Sequence, residues 1–171
     1  MTKIGILSDT HGLLDQRVFE HFADVDEIWH AGDIGSTEVL QLLRDFKPTR
    51  AVKGNIDYGD IQFMLRDVER WKTEEVNVML THIGFQHGYL TPSVQRMLQR
   101  EPAQLFVCGH SHILKVMQDK TNHLMYINPG AAGLQGWQLE STALRFKIED
   151  GELRDMEVCR IGRTVQNGQK L

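Results

Sequence analysis

The sequence predicts an α/β fold in which two packed sheets lie between helices, and two observations carry this prediction. Short apolar runs alternate with helical repeats over the first two thirds of the 171-residue chain, which favours a largely parallel sheet. Paired apolar runs joined by polar turns fill the last third, which favours a second, mostly antiparallel sheet. The length suits one domain with its own core. We therefore expect a single domain over residues 1–161 and a flexible tail over 162–171, where periodic apolar residues are missing.

The strand predictions depend on short apolar runs that polar residues or glycines interrupt. In the parallel part these runs cover residues 3–8, 27–31, 50–53, 76–81 and 104–108. In the antiparallel part, runs at 112–118 and 123–128 flank a polar turn, and runs at 143–149 and 152–160 meet at Asp150-Gly151. An Asp-Gly pair between two such runs is a strong hairpin signal.

Helical spacing of apolar residues occurs in three places between the predicted strands. It is present at Leu14, Val18 and Phe22, again from Val39 to Phe46, and again from Val94 to Leu98. Ser36 and Thr91 are suited to cap the second and third helices, and Pro92 suits the first helical position of the third. Pro48 is expected to end the second.

Composition and charge argue against several classes of protein. The chain is 41% hydrophobic and 25% charged, which is ordinary for a globular domain. Its net charge of -4 argues against general affinity for nucleic acids or anionic membranes. No apolar stretch has the length of a signal-peptide core or a membrane span. Cys108 and Cys159 form no disulfide framework, so we expect a cytoplasmic protein in a reducing environment.

Each of the five runs in the parallel part is followed by Asp, Asn or His, often beside a glycine. The C-terminal edge of an open α/β sheet is where ligands bind, and glycines let a ligand approach the backbone. The candidate metal ligands are Asp9, His11, Asp33, Asn55, His82, His110 and His112. This set is too large for one tetrahedral zinc site. It suits two cations of the manganese, iron, zinc or nickel type that share a carboxylate.

Each of these residues also has an ordinary structural interpretation. Asp9 or Asp33 alone would cap a helix, and Asn55 alone would be a turn residue. The metal interpretation depends on five such placements coinciding. His21 and His123 are more simply structural, whereas His30 and His87 lie close to proposed ligands and are left undecided.

The blocks SDTHG, AGDIG, KGNID, LTH and CGHSH resemble those of the calcineurin-like metallophosphoesterases, and in particular the small single-domain bacterial and archaeal phosphodiesterases. They follow the family order from residue 8 to residue 112, and NPGA at 128–131 also fits. The resemblance implies a four-layer α/β/β/α sandwich of two mixed sheets flanked by helices. It further implies that Asp9, His11 and His112 hold one metal, that Asn55, His82 and His110 hold the other, and that Asp33 bridges them.

By the same resemblance, the protein is expected to be a two-metal-dependent phosphoesterase, and above all a phosphodiesterase. Manganese is the first expectation for both ions, with nickel, iron or zinc as alternatives. Asp33, Asn55 and His82 would be catalytic, and Asn55 would also bind the substrate phosphate. Two positions depart from the family. Ile56 stands where phosphomonoesterases often carry a histidine, and Ile83 stands where relatives often carry a glycine.

Two alternatives stay open from the sequence. One is a metal-binding scaffold with little catalysis, like the retromer subunit of the same fold. The other is a nuclease that uses the same site, although a basic track is missing from the composition. The expected partner is a small phosphoester substrate, with no membrane and no general nucleic-acid affinity. A homo-oligomer is left open.

Overall fold

The computed structural model describes residues 1–120 and 123–162. The first half of the chain contains β1 (Thr2–Leu7), α1 (Gln16–His21), β2 (Glu27–His30), α2 (Thr37–Phe46), β3 (Thr49–Ala51), α3 (Asp60–Met64), β4 (Val68–Thr73) and β5 (Val76–Thr81). The second half contains β6 (Phe85–Gln86), β7 (Tyr89–Leu90), α4 (Pro92–Arg100), β8 (Leu105–Val107), β9 (Leu114–Asp119), β10 (Leu124–Pro129), β11 (Ser141–Glu149) and β12 (Glu152–Ile161).

The two five-stranded sheets are both mixed. The first has the order β12-β11-β1-β2-β3, with β1, β2 and β3 parallel and the β11–β12 hairpin antiparallel to β1. The second has the order β4-β5-β8-β10-β9, with β5, β8 and β10 parallel and an antiparallel strand at each edge. The predicted fold class of two mixed sheets is therefore confirmed.

The predicted division of the strands between the sheets is wrong. β5 and β8 belong to the second sheet, although the sequence predicts them beside β1 in a parallel sheet. The hairpin of the last third joins the first sheet instead, where Ile4 of β1 pairs with Phe146. The reason is that β1 is an interior strand, buried over its last four residues, and needs a neighbour on both edges. Local periodicity identifies a strand but not the distant strand that pairs with it.

The packing places the sheets between two helical layers. Between the sheets, Ile6 and Trp29 lie in one cluster with Leu80 and Val107. On the outer face of the first sheet lies a second cluster, which receives α1, α2 and α3 through Val18, Leu40 and Ile61. On the outer face of the second sheet, α4 packs Val94 against Met79 and Phe106. The layer order is therefore α/β/β/α, as the family resemblance implied.

The predicted caps and turn are present. The side chains of Ser36 and Thr91 accept hydrogen bonds from the backbone N–H groups of Val39 and Val94. At the turn of the last hairpin both Asp150 and Gly151 have positive φ, as a two-residue turn of this kind requires. The sequence patterns do not predict α3, β4 or the short β6–β7 hairpin. β4 carries three charged residues, a composition that suits an exposed edge strand and hides its periodicity.

Within the described ranges, no helix is both long and apolar enough to cross a membrane. The predicted flexible tail, 162–171, lies outside the described residues except for Gly162. The carbonyl oxygen of Gly162 accepts a hydrogen bond of 2.7 Å from the Arg17 side chain.

Candidate metal centre

The seven predicted site residues come from five loops, each of which follows a parallel strand. Asp9 and His11 follow β1, Asp33 follows β2, Asn55 follows β3, His82 follows β5, and His110 and His112 follow β8. Backbone hydrogen bonds hold neighbouring loops together, from Asp9 N to Gly32 O and from Gly109 N to His82 O, both 3.0 Å. The structure therefore brings loops of both sheets to one place.

The first group of side chains consists of Asp9, His11 and His112, whose ligand atoms all lie within 4.8 Å of one another. The Nε2 atom of His112 lies 3.1 Å from Oδ1 of Asp9 and 3.4 Å from Nε2 of His11. This is the triad that the family resemblance implied for one metal.

The second group consists of Asp33, His82 and His110, again within 4.8 Å of one another, and Asn55 lies beside it. The Nε2 atom of His82 is 3.2 Å from Oδ1 of Asp33 and 3.0 Å from Oδ1 of Asn55. The other carboxylate oxygen of Asp33, Oδ2, lies 3.8 Å from Nε2 of His11 in the first group. Asp33 thus faces both groups, one oxygen to each.

Atoms that can only accept hydrogen bonds converge in the second group. The Nδ1 atom of His82 is 2.7 Å from the carbonyl oxygen of Ala31, so the ring N–H is there and Nε2 of the neutral ring carries a lone pair. That lone pair faces the oxygens of Asp33 and Asn55. Such an arrangement is repulsive unless a proton or a cation lies among the atoms. The donor set therefore fits a divalent metal ion of the kind that imidazole and oxygen ligands bind.

The first group fits a cation for a second reason. Oδ1 of Asp9 is buried, and although Nε2 of His112 lies 3.1 Å from it, no group among residues 1–120 and 123–162 donates a well-aligned hydrogen bond to it. The other oxygen, Oδ2, accepts a hydrogen bond of 3.1 Å from the backbone N–H of His110. An unpartnered buried carboxylate oxygen is costly, and a metal ion would satisfy it.

Five of the seven residues have a backbone conformation that side chains rarely adopt. Asp9, His11, Asp33, His110 and His112 have φ values of 55°, 49°, 54°, 69° and 58°. Each such residue costs about 1–3 kcal/mol and persists only where the surrounding structure enforces it. Strain of this kind collects at functional sites. The sequence does not indicate this conformation, because a positive φ is expected mainly at glycine and these residues are aspartate and histidine.

Two glycines are required for close approach rather than for positive φ. A Cβ atom on Gly54 would overlap the backbone nitrogen and the carboxylate of Asp33. A Cβ atom on Gly109 would overlap the hydroxyl of Ser8 and lie 2.8 Å from Oδ2 of Asp9. These glycines allow the loops that carry candidate ligands to touch.

Asp57 is a supporting residue, a role that no pattern in the sequence indicates. It is buried, and its Oδ2 accepts hydrogen bonds from the N–H groups of Gly54 at 2.7 Å and Ile34 at 3.2 Å. Its Oδ1 accepts a third from Gly35 at 2.8 Å. Asp57 therefore ties the loop that carries Asp33 to the loop that carries Asn55.

His30, which the sequence left undecided, is also a supporting residue. It is fully buried, and its Nδ1 accepts a hydrogen bond of 3.2 Å from the N–H of Gly32. Its Nε2 then donates to the Thr10 hydroxyl at 3.0 Å, and that hydroxyl donates to the carbonyl of Ile34 at 2.9 Å. The chain of hydrogen bonds connects the Asp9–His11 segment with the segment around Asp33.

The remaining histidines lie outside both groups. His87 is exposed at the turn of the β6–β7 hairpin, so the structure does not bring it to the site. His21 ends α1, and His123 is exposed just before β10. The NPGA segment contributes Asn128, whose side-chain amide donates to the carbonyl of Gly109 at 2.8 Å and to the hydroxyl of Ser111 at 3.0 Å.

Burial and neighbouring charges shift the pKa values of the titratable groups in the site. Burial acts to raise the pKa of Asp33, but the hydrogen bond and charge of the His82 ring in its protonated form hold that pKa below its ordinary value. Burial acts to lower the pKa of His82, and Asp33 and Asp9 outweigh it, so that pKa is raised. The adjacent carboxylate of Asp9 raises the pKa of His112, whereas burial and His82 lower the pKa of His110. Protons and metal ions therefore compete for these imidazoles.

Comparison with known proteins agrees with this geometry. The sequence model of one protein family, the calcineurin-like phosphoesterase superfamily domain, matches residues 2–151 of this chain. The chain is 29% identical over 176 residues to a probable metallophosphoesterase of Methanothermobacter thermautotrophicus, which covers 95% of this chain and 94% of that protein.

Solved structures share the fold at low identity. Vps29 from Entamoeba histolytica complexed with Zn²⁺ superposes with a TM-score of 0.71 at 18% identity, covering 93% of this chain and 98% of Vps29. An archaeal phosphodiesterase superposes with a TM-score of 0.71 at 24% identity, covering 91% of this chain and 99% of that enzyme. The family match spans both groups of candidate ligands, and we conclude that the chain belongs to the calcineurin-like phosphoesterase superfamily.

Proposed function

We propose that this protein is a two-metal-dependent phosphoesterase that acts chiefly on phosphodiesters. The observation that carries the proposal is the carboxylate of Asp33, which faces one donor group through each of its oxygens. A shared carboxylate between two sets of imidazole and oxygen donors is the arrangement that a pair of divalent cations needs.

In this proposal Asp9, His11 and His112 would hold one cation, Asn55, His82 and His110 the other, and Asp33 both. Manganese is the first expectation, with nickel, iron or zinc as alternatives. When bound, two such ions supply an activated water at neutral pH and stabilise charge on the attacking and leaving oxygens of an in-line displacement.

The chain's own residues orient the reacting groups. The backbone N–H of Ile56 donates to Oδ1 of Asp33 at 3.1 Å and fixes that carboxylate. The carbonyl of Ala31 fixes the ring of His82. The side-chain amide of Asn55, with its oxygen toward the donor group, can donate its N–H to a phosphate oxygen of the substrate.

The preference for diesters arises from groups that the described loops of the site lack. Ile56, next to Asn55, supplies no proton for a leaving group. Asp57 cannot replace it, because both of its carboxyl oxygens accept backbone hydrogen bonds inside the protein. No lysine or arginine is adjacent in sequence to any candidate ligand, and Lys53, two residues before Asn55, is paired with Asp67 at 3.3 Å. We therefore expect the second charge of a monoester to lack a cationic partner there.

The likeness to Vps29 favours a second candidate function, a protein-binding scaffold with little catalysis. The two candidates differ in their behaviour once the metal ions are bound. An enzyme turns over substrate once loaded, whereas a scaffold of this kind binds the ions and does not. The third candidate, a nuclease, has less support because the chain carries a net charge of -4.

The test is hydrolysis of bis(p-nitrophenyl) phosphate and p-nitrophenyl phosphate by purified protein, before and after chelation and after reconstitution with manganese or nickel. We expect hydrolysis of the diester, loss of activity on chelation and recovery on reconstitution. Asp33→Ala should be the most damaging ligand change because it disturbs both cations, whereas Asp45→Ala on α2 should be neutral. Full activity in protein that elemental analysis shows to be metal-free would refute the proposal, and metal binding without turnover would favour the scaffold.

A further inference from the structure

We infer that the substrate carries an aromatic ester group, which stacks on Trp137 beside the metal centre. This inference rests on the proposed function and narrows the substrate class of the same site. The contact surface that we propose, and call the apolar rim, comprises Ile56, Ile83, Ile113 and Trp137.

Three of the four residues of the apolar rim come directly after candidate metal ligands in the chain. Ile56 follows Asn55, Ile83 follows His82, and Ile113 follows His112. Consecutive Cα atoms are about 3.8 Å apart, so the Cα atom of each isoleucine lies at that distance from the Cα atom of a candidate ligand. Ile83 is 39% exposed and Ile113 is 65% exposed, while Ile56 is half-buried.

The residues on either side of Trp137 in the chain lie against His112 of the candidate metal centre. It belongs to the connection between β10 and β11, and it is fully exposed, with a relative accessibility of 101%. The residue before it, Gly136, touches His112 so closely that a Cβ atom there would overlap Nδ1 of the ring. The same Cβ atom would overlap Oε1 of Gln138, which therefore also lies beside the ring of His112. Residues on both sides of Trp137 therefore contact one candidate ligand.

The chemistry of the apolar rim selects an aromatic group rather than a charged one. The residues adjacent in sequence to the seven candidate ligands are serine, threonine, glycine and isoleucine, and none of them is charged. Discrimination between substrates at these positions therefore depends on apolar contact. The indole of tryptophan offers a large planar face, on which a second aromatic ring stacks better than an alkyl group. A phosphodiester with at least one aromatic ester group is the substrate class that fits.

The test uses the metal-reconstituted protein and two diesters with the same leaving group, p-nitrophenyl phenyl phosphate and methyl p-nitrophenyl phosphate. We expect a higher kcat/KM for the phenyl ester. Trp137→Ala should lower the ratio of the two kcat/KM values by about tenfold, which corresponds to about 1.4 kcal/mol of differential binding. Trp137→Phe, which keeps an aromatic face, should retain most of the ratio. Leu42→Ala, at an exposed apolar position on α2, is the matched control and should leave both values unchanged.

A second measurement does not depend on turnover. The metal-loaded protein is titrated with diphenyl phosphate or dimethyl phosphate while tryptophan emission is recorded. Trp29 is buried and Trp71 is half-buried, so a blue shift on covering an exposed indole comes from Trp137. We expect that shift with diphenyl phosphate only, and its loss in Trp137→Phe.

The outcomes separate the two proposals. If neither diester is hydrolysed by metal-loaded protein, the proposed function and this inference both fail. If both are hydrolysed and Trp137→Ala leaves the ratio unchanged, or lowers both values equally, only the aromatic substrate class is refuted. Equal emission changes with diphenyl and dimethyl phosphate would also refute it.

Discussion

The Nδ1 atom of His82 lies 2.7 Å from the carbonyl oxygen of Ala31, and this contact decides which ring nitrogen faces the site. Ala31 directly follows β2 in the first sheet, and His82 directly follows β5 in the second. A carbonyl oxygen only accepts, so Nδ1 donates and Nε2 points its lone pair at Asp33 and Asn55. One hydrogen bond thus ties the two sheets together and orients a candidate metal ligand. Fixing a ligand in this way is the usual role of partners outside the metal's own ligands.

The first prediction concerns His82 itself. His82→Ala should remove one donor from the second group and leave Asp9, His11 and His112 intact. We expect the protein to lose one of two bound ions on dialysis, and diester hydrolysis to fall by more than about 100-fold, the upper end of what changes to outer partners cost. Metal content by elemental analysis and kcat/KM are the measurements. His87→Ala is the control, because His87 is exposed five residues further along; equal effects of both variants would contradict the assignment.

The second prediction concerns Asp57, which joins the loops of Asp33 and Asn55. Asp57→Asn replaces an accepting oxygen with a donating amide that faces backbone N–H groups. Losing a hydrogen bond to a buried charged group typically costs about 1.5–3 kcal/mol, so we expect the free energy of unfolding to fall by about 3 kcal/mol. Metal affinity should fall with it, because both loops carry candidate ligands.

The control for Asp57→Asn is Asp67→Asn. Asp67 is exposed and pairs with Lys53 at 3.3 Å on the surface, a contact worth about 0–1 kcal/mol. Urea unfolding of the metal-loaded proteins measures both variants. An ordinary surface substitution changes the free energy of unfolding by about 0.5 kcal/mol or less. If Asp57→Asn changes it by no more than that, the three hydrogen bonds do not hold the loops.

The third prediction concerns pH and His30. Burial lowers the pKa of His30 from 6.5 to about 4, and its hydrogen bonds fit the neutral ring. Because the folded-state pKa lies below the unfolded value, the unfolded chain binds more protons between these two pH values. The stability that neutral His30 contributes is therefore present above pH 6.5 and is lost as pH falls toward 4.

A pKa shift of one unit corresponds to about 1.36 kcal/mol of stability, so the stability that neutral His30 contributes is on the order of a few kcal/mol. Between the unfolded pKa of about 6.5 and pH 5, the wild type should lose about 2 kcal/mol more stability than His30→Gln, which has no titrating ring. Urea unfolding at pH 7.5 and pH 5 gives the difference, and His123→Gln at an exposed position is the control. Parallel pH dependence of the wild type and His30→Gln would mean that His30 is not buried as a neutral ring.

Much of the site could be predicted because its signals are local. Asp9, His110 and the other five residues stand within four residues of the end of an apolar run, and parallel strands bring their C-terminal ends to one edge. The caps at Ser36 and Thr91 and the turn at Asp150 depend on single residues, and the structure has them as predicted.

The features that could not be predicted depend on contacts between distant parts of the chain. The pairing of β1 with β11 joins residues more than a hundred positions apart, and no periodicity encodes that choice. The role of Asp57 depends on N–H groups of Ile34 and Gly35, which only the folded loops bring within reach. The positive φ of His112 belongs to the same class, because the surrounding packing enforces it.

The last prediction concerns leaving groups and Ile56. A positioned general acid contributes about 10²–10⁴-fold to such a step, and the side chain of Ile56 supplies no proton. We therefore expect diesters with acidic leaving groups, such as nitrophenol, to be cleaved far better than alkyl esters, and better than the matching monoester. Ile56 follows Asn55 and donates its N–H to Asp33, so its side chain begins beside both. Ile56→His should accordingly raise monoester hydrolysis relative to diester hydrolysis by about tenfold or more, within the range that an acid contributes.

The measurement is kcat/KM for p-nitrophenyl phosphate and bis(p-nitrophenyl) phosphate in the wild type, Ile56→His and Ile56→Leu. Ile56→Leu keeps the apolar volume and should leave the ratio of monoester to diester unchanged. The gain in Ile56→His should also depend on pH, because only the protonated imidazole, with an ordinary pKa near 6.5, can give up a proton to the leaving oxygen. The ratio should therefore be highest below that pH and fall above it. A wild type that prefers the monoester would contradict the argument, because an effective acid or a cationic partner for the second charge would then already be present.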